Sequence, residues 1–255
     1  MTVTVLTGTL YSFLLVLARV GGFVAFLPVP AFRNAPDSIR ALLTVALTLT
    51  LYPAWPVAPA MEPSLGQLAQ WAFCEAGFGL AAGLAVVFLT EGFQVAAQVA
   101  GLQAGYGYAS TIDPNSEADS SVLQVVTSLA TALLVFTTGF DHQFLRVLAA
   151  SFIRFPAGSW SVSAANVDGI VRLGGSMLVT GLRLAFPVVA LLLLVDLALA
   201  MVGRVQQQLQ LLSLAFPAKM AAALIIIALL APAFPKIFAT DSERSLEILW
   251  QSIRP

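Results

Sequence analysis

The stretch from Leu65 to Gly105 reads LGQLAQWAFCEAGFGLAAGLAVVFLTEGFQVAAQVAGLQAG and carries only two charged side chains, Glu75 and Glu91. An α-helix rises about 1.5 Å per residue and the hydrocarbon core of a bilayer is about 30 Å thick, so about 20 apolar residues cross it. The 41 residues of this stretch are therefore predicted to be helical and long enough to enter a membrane.

The composition of the whole chain agrees with that interpretation. Of the 255 residues, 59% are hydrophobic and 10% are charged, which is typical of membrane proteins. The ten arginines and two lysines are scattered singly, so they form no cationic face for nucleic acid. The N-terminal segment lacks the short positive lead of a secretory signal and is interpreted as a retained first helix. The single cysteine, Cys74, is interpreted as a small buried hydrophobe.

Six apolar runs predict helices, and together they indicate an all-α fold of long membrane-associated helices and helical hairpins. The run from Val122 to Phe140 has no formal charge in 19 residues and is the clearest candidate for a crossing. The other runs are Leu10–Leu27, Ala41–Tyr52, Leu65–Gly105, Leu173–Met201 and Leu211–Pro235.

Six charged side chains lie inside these runs: Arg19, Glu75, Glu91, Arg183, Asp196 and Lys219. A charge at the bilayer centre costs at least about 2.5 to 3.5 kcal/mol on insertion scales, so these side chains cannot all face lipid. We expect them to pair inside a helix bundle, to line a wet cavity, to reach the interface from helix ends, or to lie outside the hydrocarbon.

The charges of the loops give a conflicting topology. Two arginines between Phe32 and Arg40 indicate a cytoplasmic loop, whereas Tyr52–Gln70 and Gly105–Ser121 contain no Lys or Arg and indicate the outer side. A single crossing between two outer loops is inconsistent. The residues between those two loops are therefore expected to form a long hairpin, or the helices do not follow ordinary bilayer topology.

A polar stripe follows one face of the same stretch. Glu91, Gln94, Gln98, Gly101 and Gly105 recur at steps of three and four, which keeps them within an arc of about 80° on a helix. A stripe of polar and small residues is expected to face a pore, water or partner helices rather than lipid.

Two pairs of glycines stand four residues apart, Gly79 with Gly83 and Gly101 with Gly105. This spacing lets helix backbones approach closely. In an alanine-rich helix it favours ordinary helix packing over a dedicated dimer contact.

The C-terminal segment TDSERSLEILWQSI predicts an amphipathic helix. Thr240 and Glu243 have the spacing of a capping box, which predicts a helix start at Thr240. The apolar positions that follow are Leu246, Leu249, Trp250 and Ile253. Such a helix is expected either on a membrane surface or against a partner helix.

The sequence contains none of the residue patterns that catalysis or metal binding needs. The single histidine, His142, follows Asp141 and is interpreted as a hydrogen-bonding loop residue. No group of Cys, His and carboxylates has metal-ligand spacing. The segment GYGYAS lacks the Lys-Ser/Thr of a phosphate-binding loop and no strand precedes it. We therefore expect no enzyme, no cofactor and no metal.

The segment GYGYASTIDPNSEADSS interrupts the apolar runs as a polar loop. Its glycines permit unusual backbone conformations and Pro114 with Asn115 marks a turn. Its tip is acidic, and Tyr106 and Tyr108 suit a boundary between water and packed protein. It is expected to be either a mobile lid or a plain connector.

Four segments carry a family resemblance: VLARVGGFVAFLPV, GLQAGYGYASTIDP, FDHQFLRVLAASFIRFPAG and QLQLLSLAFPAKM. In this order they resemble the FliR family of flagellar protein-export components, whose injectisome relatives are called SctT. The resemblance implies a subunit that assembles with FliP-like and FliQ-like subunits into a helical export gate, with an FlhB-like switch protein at its cytoplasmic side. Unfolded flagellar proteins would pass through this gate across the bacterial inner membrane, at the flagellar basal body.

The resemblance also implies a division of the chain. Residues 1–168 would be a FliP-like helical portion, and residues 169–255 a FliQ-like helical hairpin followed by the C-terminal amphipathic helix. Part of the helices would lie above the bilayer plane. The loop 105–122 would be the channel plug, with these residues: Gly105, Tyr106, Gly107, Tyr108, Ile112, Asp113 and Pro114.

Three alternatives remain open from the sequence. The chain could serve an injectisome instead of a flagellum, or be a passive scaffold of the export machine without a moving part. It could also be a small-molecule secondary transporter, with Arg183 and Asp196 as coupling groups and helices broken at Pro187 and Pro217 around a midplane site.

Overall fold

A computed structural model confirms the all-α fold. It describes residues 2–26, 36–55, 63–106, 122–156, 158–161, 163–205 and 211–252, and no strand occurs in these ranges. Eight α-helices account for most of them: α1 (Thr2–Ala25), α2 (Asp37–Thr50), α3 (Leu65–Ala104), α4 (Val122–Thr137), α5 (Phe140–Arg154), α6 (Ala164–Val205), α7 (Leu211–Leu230) and α8 (Phe234–Ser252).

The two longest helices begin at capping boxes that the sequence analysis missed. Before α3, the Ser64 hydroxyl accepts the Gln67 N–H and the Gln67 side chain accepts the Ser64 N–H. Before α6, Ser163 and Asn166 make the same reciprocal pair. These bonds satisfy backbone donors that a helix start leaves without partners.

Residues Leu65–Ala104 form one uninterrupted helix, so the alternative of a hairpin was wrong. Helix α3 has 40 residues and α6 has 42. At about 1.5 Å per residue, each is about 60 Å long, which is about twice the thickness of the hydrocarbon core. The apolar, alanine-rich composition of this stretch and the absence of proline let a single helix continue through it.

The run from Val122 to Phe140, which was the clearest candidate for a crossing, does not form one continuous helix. Helix α4 ends at Thr137, and α5 begins at Phe140 after a bend of 62°. Gly139 adopts a left-handed conformation with φ of 68°, which a side chain would disfavour. Helix α4 alone is about 24 Å long, which is short for a crossing.

Within the described residues, four helical segments are long and apolar enough to cross a membrane, or five if the bent pair α4–α5 counts as one span. They are Thr7–Ala25, Leu65–Ala104, Asn166–Arg204 and Ala215–Gln251. Helices α6 and α7 run through Pro187 and Pro217 without a break, so the expectation of helices broken there was wrong.

The C-terminal helix begins six residues before the predicted capping box. Helix α8 starts at Phe234, and the Thr240 hydroxyl donates to the Lys236 carbonyl inside the helix. Thr240 is thus not a cap. The predicted apolar position Leu249 is buried, whereas Ile253 lies outside the described residues.

The chain divides into two compact units. Unit 1 comprises Met1–Phe88, Val135–Gly174 and Ser242–Pro255, and unit 2 comprises Leu89–Leu134 and Gly175–Asp241. Helices α3, α4, α6 and α8 therefore contribute residues to both units. The sequence-based boundary between residues 168 and 169 falls inside α6.

Unit 1 is held together by a close crossing of α1 over α3. A Cβ added to Gly79 would overlap the Arg19 carbonyl, and one added to Gly22 would overlap the Ala76 carbonyl. At Gly83 it would lie 2.9 Å from the Phe23 carbonyl. The glycines four residues apart in α3 thus let the two backbones touch within one chain.

Unit 2 has a core of small and branched side chains contributed by α3, α4, α6 and α7. Its buried members are Ala97, Ala100, Ala104, Leu123, Val188, Leu192 and Ala223. Three alanines from α3 allow close packing here, while larger side chains from α7 close over the cluster.

We predict that Gly79→Ala lowers the free energy of unfolding by about 1 to 3 kcal/mol, because the added methyl group meets backbone that cannot turn away. The midpoint of thermal unfolding in detergent measures this change. Gly66→Ala is the matched control, since Gly66 is in the first turn of the same helix with open space around it. Equal midpoints for the two variants would contradict the close crossing.

Candidate functional site

A buried ion pair joins α1 to α3 in unit 1. Arg19 Nε donates to Glu75 Oε2, and both side chains are fully shielded from solvent. The other guanidinium nitrogens donate to Ser151 Oγ at 2.9 Å and to the Phe155 carbonyl at 3.0 Å. The second Glu75 oxygen accepts the Gly158 N–H at 2.9 Å. We call these five groups the Arg19 clamp.

Two aromatic rings cover the faces of the guanidinium in the Arg19 clamp. The carbon at its centre lies 4.5 Å from the centroid of Phe78 and 4.3 Å from that of Phe152. A planar, delocalised guanidinium can stack on both rings at once, whereas a lysine ammonium would not make the same stacking contacts with both faces. The clamp therefore suits arginine at position 19 in both hydrogen bonding and shape.

The turn after α5 supplies the last member of the clamp. Gly158 has φ of +82°, and a Cβ there would lie 2.8 Å from the Trp71 ring. Both facts restrict this position to glycine. The turn thereby presents its N–H to Glu75, and α1, α3 and the end of α5 are held at one point.

A second polar cluster lies in unit 2 and is only partly buried. Lys219 Nζ on α7 lies 2.9 Å from Asp196 Oδ1 and 3.0 Å from Oδ2, on α6. Gln103 Nε2 on α3 donates to Asp196 Oδ2 at 3.2 Å. The lysine side chain is 15% exposed and the aspartate side chain 39% exposed. The cluster thus joins three helices, and part of the carboxylate remains on the surface of the chain.

The residues that follow α3 pack on α7 beside this cluster. Gly105 has φ of +87°, and a Cβ there would lie 2.7 Å from the Phe216 ring. The Tyr106 hydroxyl donates to the Met220 carbonyl at 3.2 Å. Burial raises the pKa of the Tyr106 phenol above its ordinary value, because the charged phenolate is poorly solvated there.

The structure separates the members of the predicted polar stripe by burial. Gly101 is buried, Glu91 and Gln94 are half-buried, and Gln98 is exposed on α3. Gln103, which contacts Asp196, was not assigned to the stripe. Its signal in the sequence was a polar amide in an apolar helix close to a predicted loop.

The other predicted residues do not join either cluster. Arg183 is exposed on α6, whereas the other buried-charge candidates, Arg19, Glu75, Asp196 and Lys219, form the two pairs. His142 is exposed and its Nε2 lies 4.0 Å from Asp141 at the start of α5, and Cys74 is half-buried. Five predicted plug residues lie outside the described residues: Gly107, Tyr108, Ile112, Asp113 and Pro114.

Several partners in the Arg19 clamp could not be found from the sequence. Ser151, the Phe155 carbonyl and the Gly158 N–H lie more than 80 residues from the charges that they contact. Every residue has the same backbone carbonyl, and every residue except proline has an N–H, so the sequence does not show which of these groups bonds a distant side chain. In the part of the chain that the structure describes, no group of His, Cys, Asp and Glu could hold a metal ion.

These features define an all-α protein with helices long and apolar enough to cross a membrane, in which four of the charges inside the apolar runs form two ion pairs. Residues 10–245 match the family described as Bacterial export proteins, family 1. The flagellar biosynthetic protein FliR of Escherichia coli (strain K12) is 28% identical over 218 residues, which cover 85% of this chain and 82% of that protein. FliR of Caulobacter vibrioides is 26% identical over 238 residues, 92% of this chain and 94% of that protein.

The chain belongs to the FliR family, as the resemblance of its four segments indicated. It is a component of the flagellar export apparatus embedded in a membrane. FliR of Bacillus subtilis (strain 168) gives a similar match, at 26% identity over 219 residues, 85% of this chain and 84% of that protein.

We predict that Glu75→Ala destabilises the chain by about 3 to 5 kcal/mol, because it leaves the Arg19 charge buried without its counter-ion. The double variant Arg19→Met/Glu75→Leu should lose less, since no charge is then left in the bundle. Unfolding in detergent with increasing denaturant measures both values.

The matched control for the clamp is Asp168→Ala, which breaks the exposed ion pair of α6 with Arg172. Exposed pairs contribute about 0 to 1 kcal/mol, so this variant should behave almost as the unaltered chain. A loss for Glu75→Ala no larger than the control's would show that the clamp does not stabilise unit 1.

Proposed function

We propose that the chain is a subunit of the flagellar type III export gate, and that it works inside a hetero-oligomer with FliP-like and FliQ-like subunits. The assembly would form the channel through which unfolded flagellar proteins cross the bacterial inner membrane. An FlhB-like protein would act at its cytoplasmic side. The observation that carries this proposal is the length of exposed apolar surface along single helices.

Helix α3 exposes large apolar side chains from Leu65, through Phe73, to Leu102. At about 1.5 Å per residue these positions extend over about 55 Å of helix. A hydrocarbon layer of about 30 Å would cover that length only at a tilt well beyond the usual range of about 0 to 40°. Lipid alone therefore leaves part of this apolar surface in contact with water.

Helix α6 has the same excess. Its exposed apolar side chains begin at Val167, include Phe186 and end at Val202, over about 52 Å. Partner helices would cover what lipid does not, which favours an assembly whose helices lie partly above the bilayer plane. Exposed apolar patches of this extent are typical of surfaces that bind membranes or other proteins.

The paired charges support the same proposal. In the Arg19 clamp, charges that lipid would exclude are satisfied within unit 1. The exposed Arg183 and the stripe residues Gln94 and Gln98 are left for partner helices or the pore. We also retain the division into a FliP-like portion, residues 1–168, and a FliQ-like part, residues 169–255, which holds the remainder of α6, α7 as the second arm of the hairpin, and α8.

The loop 105–122 is proposed as the channel plug. Its support among described residues is its root, where Gly105 and Tyr106 are fixed against α7. A plug needs one end held on a rigid element so that its tip returns to the same place.

The names of the relatives favour flagellar use over use in an injectisome.

We expect the chain to be monodisperse in detergent only when it is produced together with its FliP-like and FliQ-like partners. Alone, its excess apolar surface should drive aggregation. Size-exclusion chromatography with light scattering distinguishes the two states, and co-production with the FlhB-like protein alone serves as the control. A stable solitary monomer would count against the hetero-oligomer.

We predict that deletion of Ser110–Ser121 raises the ion leakage of reconstituted gates, because the channel loses its plug. Fluorescence of an ion-sensitive dye inside the vesicles measures the leakage. A second variant replaces the same residues with a Gly-Ser segment of equal length, which separates the effect of sequence from that of a shortened connection. Unchanged leakage in both variants would remove the plug from the proposal.

A further inference from the structure

The cluster around Asp196 differs from the Arg19 clamp in its exposure and in its position. The clamp is sealed from solvent, whereas the Asp196 side chain is 39% exposed. The cluster also lies where α3 ends, so its bonds act on the last turn of that helix and on the residues that leave it. We propose that it is a releasable lock between the end of α3 and the pair α6–α7.

The polar lock comprises Gln103, Tyr106, Asp196 and Lys219, with the Met220 carbonyl. The Asp196 carboxylate receives Lys219 from α7 and Gln103 from α3 on its two oxygens. Tyr106 donates to the Met220 carbonyl, which belongs to the residue next to Lys219. Two adjacent residues of α7 are thus connected to two positions at the end of α3.

The bonds of the lock are suited to being broken and remade. A sealed ion pair resists opening because a lone charge in the interior is very costly. In the polar lock, 39% of the Asp196 side chain is already exposed, so parting it from Gln103 or Lys219 isolates a buried charge less completely. The lock should therefore open more readily than the Arg19 clamp.

Helix α7 has a local weakness at the same place. Pro217 lies within α7, two residues before Lys219, and proline has no N–H to donate to the preceding turn. Phe216, next to this proline, packs against Gly105. A small change in the bending of α7 at Pro217 would move its contacts to Gly105, Tyr106 and Asp196 together.

The lock lies at the border of a packed cluster, which offers a way to observe it. Ala104 is fully buried, next to Gln103, whereas Ala97 lies two turns earlier in the same core. Opening of the lock should uncover the end of α3 and leave the earlier turns packed. The role of the lock in export rests on the function proposed above, but its existence does not.

The test uses single cysteines in the full-length chain, in native membranes and in a Cys74→Ala background. Ala104→Cys reports on the end of α3 and Ala97→Cys on the core, each by its rate of alkylation with N-ethylmaleimide. We expect Asp196→Leu to raise the rate at position 104 by about tenfold, the factor that about 1.4 kcal/mol produces, and to leave position 97 unchanged.

Two further variants control for the loss of a charge and for misfolding. Asp168→Leu removes an exposed carboxylate from the same helix and should change neither rate. The exchange Asp196→Lys/Lys219→Asp rebuilds the ion pair and should return the rate at position 104 to its original value. An unchanged rate at position 104 in Asp196→Leu, or an equal rise at both positions, overturns the lock.

Ion leakage of reconstituted gates then separates the lock from the function proposed for the loop. If Asp196→Leu raises both the alkylation at position 104 and the leakage, the lock controls the channel. If alkylation rises and leakage does not, the lock stands as a structural contact and its role in export is overturned.

Discussion

The exclusion of charge from hydrocarbon governs how this chain folds. Arg19 and Glu75 lie in helices that are otherwise apolar, and neither can face lipid. Their pairing brings α1 onto α3, where Gly22 and Gly79 permit backbone contact. The remaining hydrogen-bonding groups of the two side chains then fix the end of α5 and the turn at Gly158. The geometry of unit 1 follows from satisfying one ion pair completely.

The all-α fold and its longest helix were predictable, because apolar length and the absence of proline act locally. The run from Leu65 to Gly105 became α3 almost without change. The bend at Gly139 was not predicted, since hydropathy contains no information about a left-handed glycine. The start of α8 was misplaced because a Thr-Glu spacing resembles a cap, although that threonine is bonded inside the helix.

The clusters were predictable only in part, and for a different reason. The sequence identified the charges that need shelter, but their partners depend on which helices meet. Ser151 joins Arg19 across 132 positions, and Gln103 joins Asp196 across 93. Such pairings arise from packing and leave no periodic pattern. Arg183 also lies inside an apolar run, as Arg19 does, but its side chain is exposed on the surface of the chain.

The length of α3 and α6 has a consequence for how the cell must supply this subunit. A chain whose exposed apolar helices are longer than one bilayer is thick is poorly solvated when it is unassembled, both in the membrane and in water. In the hetero-oligomer proposed above, its synthesis would have to be timed with that of its partners, and surplus copies would be substrates for membrane-bound proteases. Degradation of unassembled chains would then be enough to set the ratio of subunits in the assembly.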